Sequence, residues 1–280
     1  MTYRSLLVLL DPHPLCAART RVAMQLARQL DCHLVGVAPT GLIDLPAALG
    51  EAASLSEFAT LAWNTMQAQA EQAALSFRDA CRAADLASFE AVVDETDKAS
   101  SLVRHAHCSD LTVLTQADPG AADHRMTRQL VEQVVLYSAR PTLVLPYAGR
   151  FDSVGSRVLV AWDDSREAAR ALADALPLLR RAGHVQVVSW NEDHQQHASP
   201  PQLRLGALHK WLMWQGVSAD MSVEATTIGV ADAMLSRAAD QGADLIVMGA
   251  YGHARWAERV LGGATRGLLA SMTMPVLMSH

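Results

Sequence analysis

The chain has 280 residues, half of them apolar and 19% charged, with a net charge of −6. That length suggests about two domains, and that composition a packed core rather than a disordered or fibrous chain. The acidic balance argues against charge-driven nucleic-acid binding. No apolar run approaches the ~20 residues that span a bilayer, so no membrane partner is expected.

The start, Met1-Thr2-Tyr3-Arg4-Ser5, runs directly into a strand-like stretch broken by Asp11. It does not read as a signal peptide, and cytoplasmic residence is the expectation. Residues 6–10 form the first expected strand, a helical stretch follows to residue 30, and residues 33–37 form the second strand. Residues 44–84 are the longest excursion, rich in Ala, Gln, Glu and Leu and therefore helix-prone. Trp63, Met66 and Leu75 are read there as core contacts, with Ser56, Glu57, Gln69, Glu71 and Gln72 facing water. Strands are expected again at 89–93, 111–114 and 142–145. Residues 148–155, with two glycines, read as a linker.

The same order then repeats. Leu6-Leu7-Val8-Leu9-Leu10-Asp11 parallels Val158-Leu159-Val160-Ala161-Trp162-Asp163. Asp110-Leu111-Thr112-Val113-Leu114 parallels the run from Asp244 to Met248, and Arg140-Pro141 parallels Met274-Pro275. The second-half strands are expected at 158–162, 185–190, 222–226, 245–248 and 276–278, with a helix from 165 to 181. Strands alternating with helices predict two α/β domains with parallel sheets and right-handed crossovers, residues 1–147 and 156–280. Trp211, Met213 and Trp214 are read as packing residues or a subunit contact.

The most informative stretch is Asp244 to Ser279. A buried strand closes on Gly249 and Gly252, Gly262 and Gly263 follow a nine-residue gap, and a short helix leads to a last strand beginning at Pro275. Glycines at the end of a parallel strand admit close backbone approach and positive φ. A helix starting just after them aims free N–H groups and its positive dipole end at the same spot, which suits a phosphate. Gly249-x2-Gly252-x9-Gly262, after DLIVMG, resembles the nucleotide-binding signature of the universal stress protein family, and the resemblance covers nearly the whole chain as a tandem pair. It implies two open five-stranded Rossmann-like sheets of order 3-2-1-4-5, related by a pseudo-two-fold axis through their last strands, with a crevice between strands 1 and 4.

The resemblance also implies an adenine nucleotide, ATP with Mg²⁺, in the second half. Gly249, Gly252, Gly262, Gly263 and Ala264 would offer main-chain N–H groups to phosphates, with Met248 beneath and His253 and Arg255 adding charge. Asp163, after Ala161, would contact the adenosine; with Asp164-Ser165 it reads equally as a helix cap. Trp190, where the family carries a smaller apolar residue, stacks on a base or fills its pocket. Gly263 stands where the family has Ser or Thr; Thr265 supplies a hydroxyl to phosphate or to a cap.

In the first half Thr115 replaces the first glycine and Asp118 and Asp123 would repel phosphate, so no nucleotide is expected there and the domain is read as a structural partner. Cys16, Cys32, Cys81 and Cys108 form no CxxC pair and read as reduced thiols. His105 and His107 are read as surface residues at a helix end, and no metal site is expected. No acid–base pair stands out, so at most slow ATP hydrolysis is expected. The function expected is a nucleotide-controlled conformational or assembly switch, homodimeric with a protein partner. The alternative is a nucleotide-independent interaction protein of the same fold.

Overall fold

The structure, a computed structural model, describes residues 2–41, 53–191, 201–252 and 263–280. The chain divides into two compact units, Arg4–Val113 and Leu114–His280 together with Met1–Tyr3. In the first, strands β1 (Ser5–Leu9), β2 (His33–Pro39), β3 (Phe89–Asp94) and β4 (Leu111–Thr115) are all parallel, in the order β3-β2-β1-β4. Helices α1 (Cys16–Leu30), α2 (Ala53–Ala83) and α3 (Lys98–Ala106) make the crossovers. Leu6, Leu7 and Val8 of β1 have no exposed surface, as expected of a strand covered on both faces.

The boundary falls inside β4, whose last residues belong to the second unit and lie beside β5 (Thr142–Leu145), reached through α4 (His124–Tyr137). There follow β6 (Arg157–Ala161), α5 (Arg166–Leu179), β7 (His184–Asn191), α6 (Pro201–Trp214), β8 (Asp220–Ala225), α7 (Val230–Asp240), β9 (Leu245–Gly249), α8 (Gly263–Ser271) and β10 (Val276–Ser279). Their sheet order is β5-β10-β9-β6-β7-β8. Each half thus has the expected order 3-2-1-4-5. The last strands of the halves meet antiparallel, Leu143 opposite Leu277, which is the pair the pseudo-two-fold reading requires.

The repeated aspartates before strand 4 of each half are clamps. The Asp110 carboxylate accepts from the backbone N–H groups of Arg4 and Ser5 at 2.7 and 3.0 Å. Asp244 accepts from those of Gly155, Ser156 and Arg157 and from the Ser153 hydroxyl, at 2.8 to 3.1 Å. Each carboxylate pins the start of its first strand, and such charge-assisted bonds are worth more than neutral ones.

Several side chains depart from the sequence reading. Leu75 is 47% exposed, because it lies on the outer side of α2, whereas Gln69, Glu71 and Gln72 face water as expected. Ser56 and Glu57 lie where side chains are not described. Met213 and Trp214 are 61% and 79% exposed, which goes against the packing reading and leaves that of a subunit contact. His105 is tied inward, its Nε2 3.1 Å from the Asp94 carboxylate.

Asp94, 7% exposed, also accepts from Ser101 at 2.6 Å, Arg104 at 2.5 Å and Thr96 at 3.0 Å. Burial by itself pushes this carboxyl up, but hydrogen bonds from Ser101, Arg104 and Thr96 and the Arg104 charge outweigh it and hold it below the usual carboxylate range. A depressed folded-state value means stability that is present above the unfolded value of about 4 and is lost as pH falls through the folded one. Asp94→Asn is therefore expected to lower the melting temperature near pH 7, with the gap to wild type closing in acid. A gap constant from pH 7 to pH 3 would contradict this assignment.

Candidate functional site

In the second unit the direction of strand addition reverses between β6 and β9, which are parallel neighbours with Leu159 opposite Ile246. Ligand crevices of open α/β sheets lie at the carboxyl ends of such strands. Ala161 ends β6 and is 7% exposed; Asp163, two residues on, is half-buried. Met248, 4% exposed, pairs with Met278 in the sheet and lies beneath the turn that begins at Gly249.

Ser165 caps α5, and Asp163 holds that cap. Its Oδ1 accepts from the Ser165 N–H at 3.0 Å and the Ser165 hydroxyl at 2.6 Å, and Ser165 Oγ accepts from the Ala168 N–H at 3.1 Å. These bonds organise the first turn of α5, satisfying N–H groups that would otherwise have no partner.

That turn explains the glycines. A Cβ on Gly249 would lie 2.5 Å from Ala168 N and 2.6 Å from Glu167 C, both α5 backbone. A Cβ on Gly252 would lie 2.8 Å from Glu167 Oε2 and 3.3 Å from Ser165 Oγ. Neither glycine has positive φ, contrary to the sequence expectation; the left-handed residues here are Asp164 (φ 64°) and Tyr251 (φ 59°). What demands glycine is the close approach of α5. The Tyr251 conformation, costly for a bulky residue, is held by its backbone N–H, which donates to Thr265 Oγ1 at 3.2 Å.

Thr265, 3% exposed, ties the first turn of α8 to the glycine turn through that bond, a tie that the sequence does not announce. Gly263 opens α8 in open space and is exposed, and Ala264 is half-buried. Trp190, half-buried, is near the end of β7 opposite Glu224 of β8. His253, Arg255 and Gly262 lie outside the described residues. The glycine turn, the first turn of α8 and the cap of α5 are thus brought together.

The residue that sequence reading missed is Glu167. It is 2% exposed, packs on Gly252, and pairs through Oε1 with Nε of the exposed Arg166. An acid two residues after an Asp-Asp-Ser run is ordinary in sequence, and nothing local signals that it folds onto the glycine turn. A second unanticipated group is the Tyr251 hydroxyl, which is buried with no hydrogen-bond partner among the described residues. Burial raises its pKa, and the Glu132 charge adds to the effect.

In the first half the matching turn is closed by its own chain. Gln116, 2% exposed, donates from its side chain to Leu269 O at 2.8 Å and from its backbone to Leu145 O at 2.7 Å, and accepts from Tyr147 N–H at 3.2 Å. Asp118 accepts from Gly120 N–H at 2.8 Å.

The parallel strands and the reversal of strand order define an α/β protein of the open-sheet class. Residues 156–280 match the model described as the Universal stress protein family. The match covers the second half of the chain, and both halves carry the strand order described above. No curated protein matches the sequence. Among solved structures, a universal stress protein from Archaeoglobus fulgidus DSM 4304 is similar over 99% of this chain and 96% of its own, with 17% identity and a TM-score of 0.75. A functionally unknown protein from Pseudomonas aeruginosa PAO1 is similar over 99% and 92%, with 14% identity and a TM-score of 0.60. At these identities the likeness concerns the fold, in tandem form.

Proposed function

We propose that residues 156–280 bind one adenine nucleotide per chain, ATP with Mg²⁺, as a switch of conformation or assembly, and that residues 1–147 act as a domain without nucleotide. The observation that carries this reading is the meeting of three elements at the strand-order reversal: the Gly249–Gly252 turn, the first turn of α8 and the Asp163 cap. Backbone N–H groups at a helix start and a glycine turn suit phosphate. Asp163, whose Oδ1 already serves Ser165, is the carboxylate nearest to hand for the adenosine. Mg²⁺ would neutralise phosphate charge beside Glu167. The role is binding rather than catalysis, in a cytoplasmic protein that assembles as a homodimer.

Glu167 favours a second reading, an interaction protein that keeps the fold without nucleotide, because a buried carboxylate against Gly252 opposes a polyphosphate at that turn. Calorimetric titration of ATP, with and without Mg²⁺, into the full-length protein separates the two. Micromolar binding at one per chain is expected. Absence of heat together with absence of a thermal shift would establish the second reading, and two per chain would overturn the account of the first half.

A further inference from the structure

Between α1 and α2, above the C-terminal end of β1, lies a cleft of about 800 Å³, wholly within the unit Arg4–Val113. That volume falls in the ~300–1,000 Å³ range of small-molecule sites. Its floor is apolar, built from Leu10, Met24 and Phe77, of which Leu10 and Phe77 are 1% and 2% exposed. Gly36 of β2 sets its depth. A Cβ there would come within 2.7 Å of Leu10 Cδ1 and 3.0 Å of Phe77 Cε1, so the missing side chain lets both settle onto the sheet. Gly36 does not have positive φ, and a glycine inside a strand marks close approach.

The polar lining identifies the ligand class. Among the described residues no lysine or arginine lines the cleft, and the one carboxylate there, Asp11, is held by the buried Arg19 guanidinium at 2.8 Å, with Lys98 at 4.0 Å. A phosphate or carboxylate would find no cation facing it. The remaining polar lining is neutral: the amides of Asn64, Gln69 and Gln72 and the hydroxyls of Thr20, Thr65 and Ser76, that of Thr65 donating to Leu61 O at 2.8 Å. His13 Nδ1 accepts from the Leu15 N–H at 3.2 Å, which leaves Nε2 as the protonated, donating nitrogen of the neutral ring. None of Thr115 to Asp123, the first-half counterpart of the glycine turn, lines the cleft.

We propose that this cleft is a second ligand site, for an uncharged, mainly apolar molecule of small-drug size that carries a hydrogen-bond acceptor such as a carbonyl. The ligand would lie with its apolar body on Leu10, Met24 and Phe77 and its acceptor toward His13 and the amides of α2. It does not depend on nucleotide binding in the second half. Ala17 and Ala73 leave the space between the two helices, and Cys16 at its edge offers a built-in reporter.

The test uses the full-length protein and the uncharged naphthyl ketone Prodan, whose emission shifts to the blue in apolar surroundings. Saturable binding at one per chain is expected. Ala73→Trp, which fills the cleft, should weaken it more than tenfold; Gly36→Ala, which lifts the floor, and His13→Ala should each weaken it several-fold. Leu75→Ala, on the exposed side of α2, should leave it unchanged. In the wild type, bound Prodan should slow alkylation of Cys16 by N-ethylmaleimide and leave that of the exposed Cys108 unaltered, a readout that needs no variant to fold. Unsaturable binding, full affinity in Ala73→Trp, or unprotected Cys16 would overturn the proposal. Displacement of Prodan by ATP would overturn it too, since the cleft would then be a nucleotide site.

Discussion

Gly249→Ala is expected to destabilise the protein by about 3 kcal/mol, the upper end of what overpacking a well-filled site costs. The added methyl would fall 2.5 Å from Ala168 N and 2.6 Å from Glu167 C. Those are backbone atoms of a helix turn already fixed by Ser165, whose Oγ accepts from Ala168 N–H. Relief requires α5 to move, yet α5 buries Ala168, Ala171, Leu172, Ala175, Leu178 and Leu179. For a unit of this size the loss corresponds to a fall in melting temperature of roughly 6–12 °C. Gly252→Ala is the control. Its methyl would meet the end of the Glu167 side chain, which can swing aside, so a cost within about 1 kcal/mol is expected. Thermal melts of the two variants side by side decide the matter. Equal tolerance would mean that α5 does not require the first glycine, and that both positions are kept open for another reason.

Glu167→Ala is expected to tighten ATP binding at least tenfold. The buried carboxylate lies against Gly252 and is countered on one oxygen by Arg166, whose side chain is 84% exposed. A polyphosphate at the glycine turn would sit beside that charge. Two like charges about 5 Å apart repel by about 3 kcal/mol at an effective dielectric of about 20, which is more than the tenfold effect needs. Glu167→Gln separates charge from bulk. If repulsion is the obstacle, Gln and Ala tighten binding alike; if the side chain simply fills the turn, only Ala does. The helix loses an acid from its first turn in both variants, a cost of about 0.3–1 kcal/mol, so folding should be retained. Calorimetry on the three proteins reads the result. Unchanged affinity in both variants would place the nucleotide away from this turn.

Much of the architecture was legible in the residues. Runs such as Leu6-Leu7-Val8-Leu9 and Leu245-Ile246-Val247-Met248 are apolar at every position, which only a strand covered on both faces demands, and they became β1 and β9 within a residue or two. The family resemblance implied a pseudo-two-fold axis through the last strands, and β5 and β10 do meet there, antiparallel. Of the four cysteines Cys32 and Cys81 are buried, and burial pushes the pKa of both up to about 11, with Asp110 and Asp31 adding to the effect at Cys32.

The candidate site was legible only in part. The glycines were visible, but their local reason was not, because the atoms that exclude a side chain at Gly249 belong to a helix some eighty positions earlier in the chain. The same separation hid Glu167, Gln116 and the Thr265–Tyr251 tie. Leu75 was misjudged because residue type alone does not say which side of a helix faces the sheet. The sequence by itself determined what depends on local periodicity and on repetition: the strands, the crossovers and the order of elements. Only the tertiary structure decided which groups meet at the crevice and which helices stand apart over Gly36, since those are distances between residues far apart along the chain.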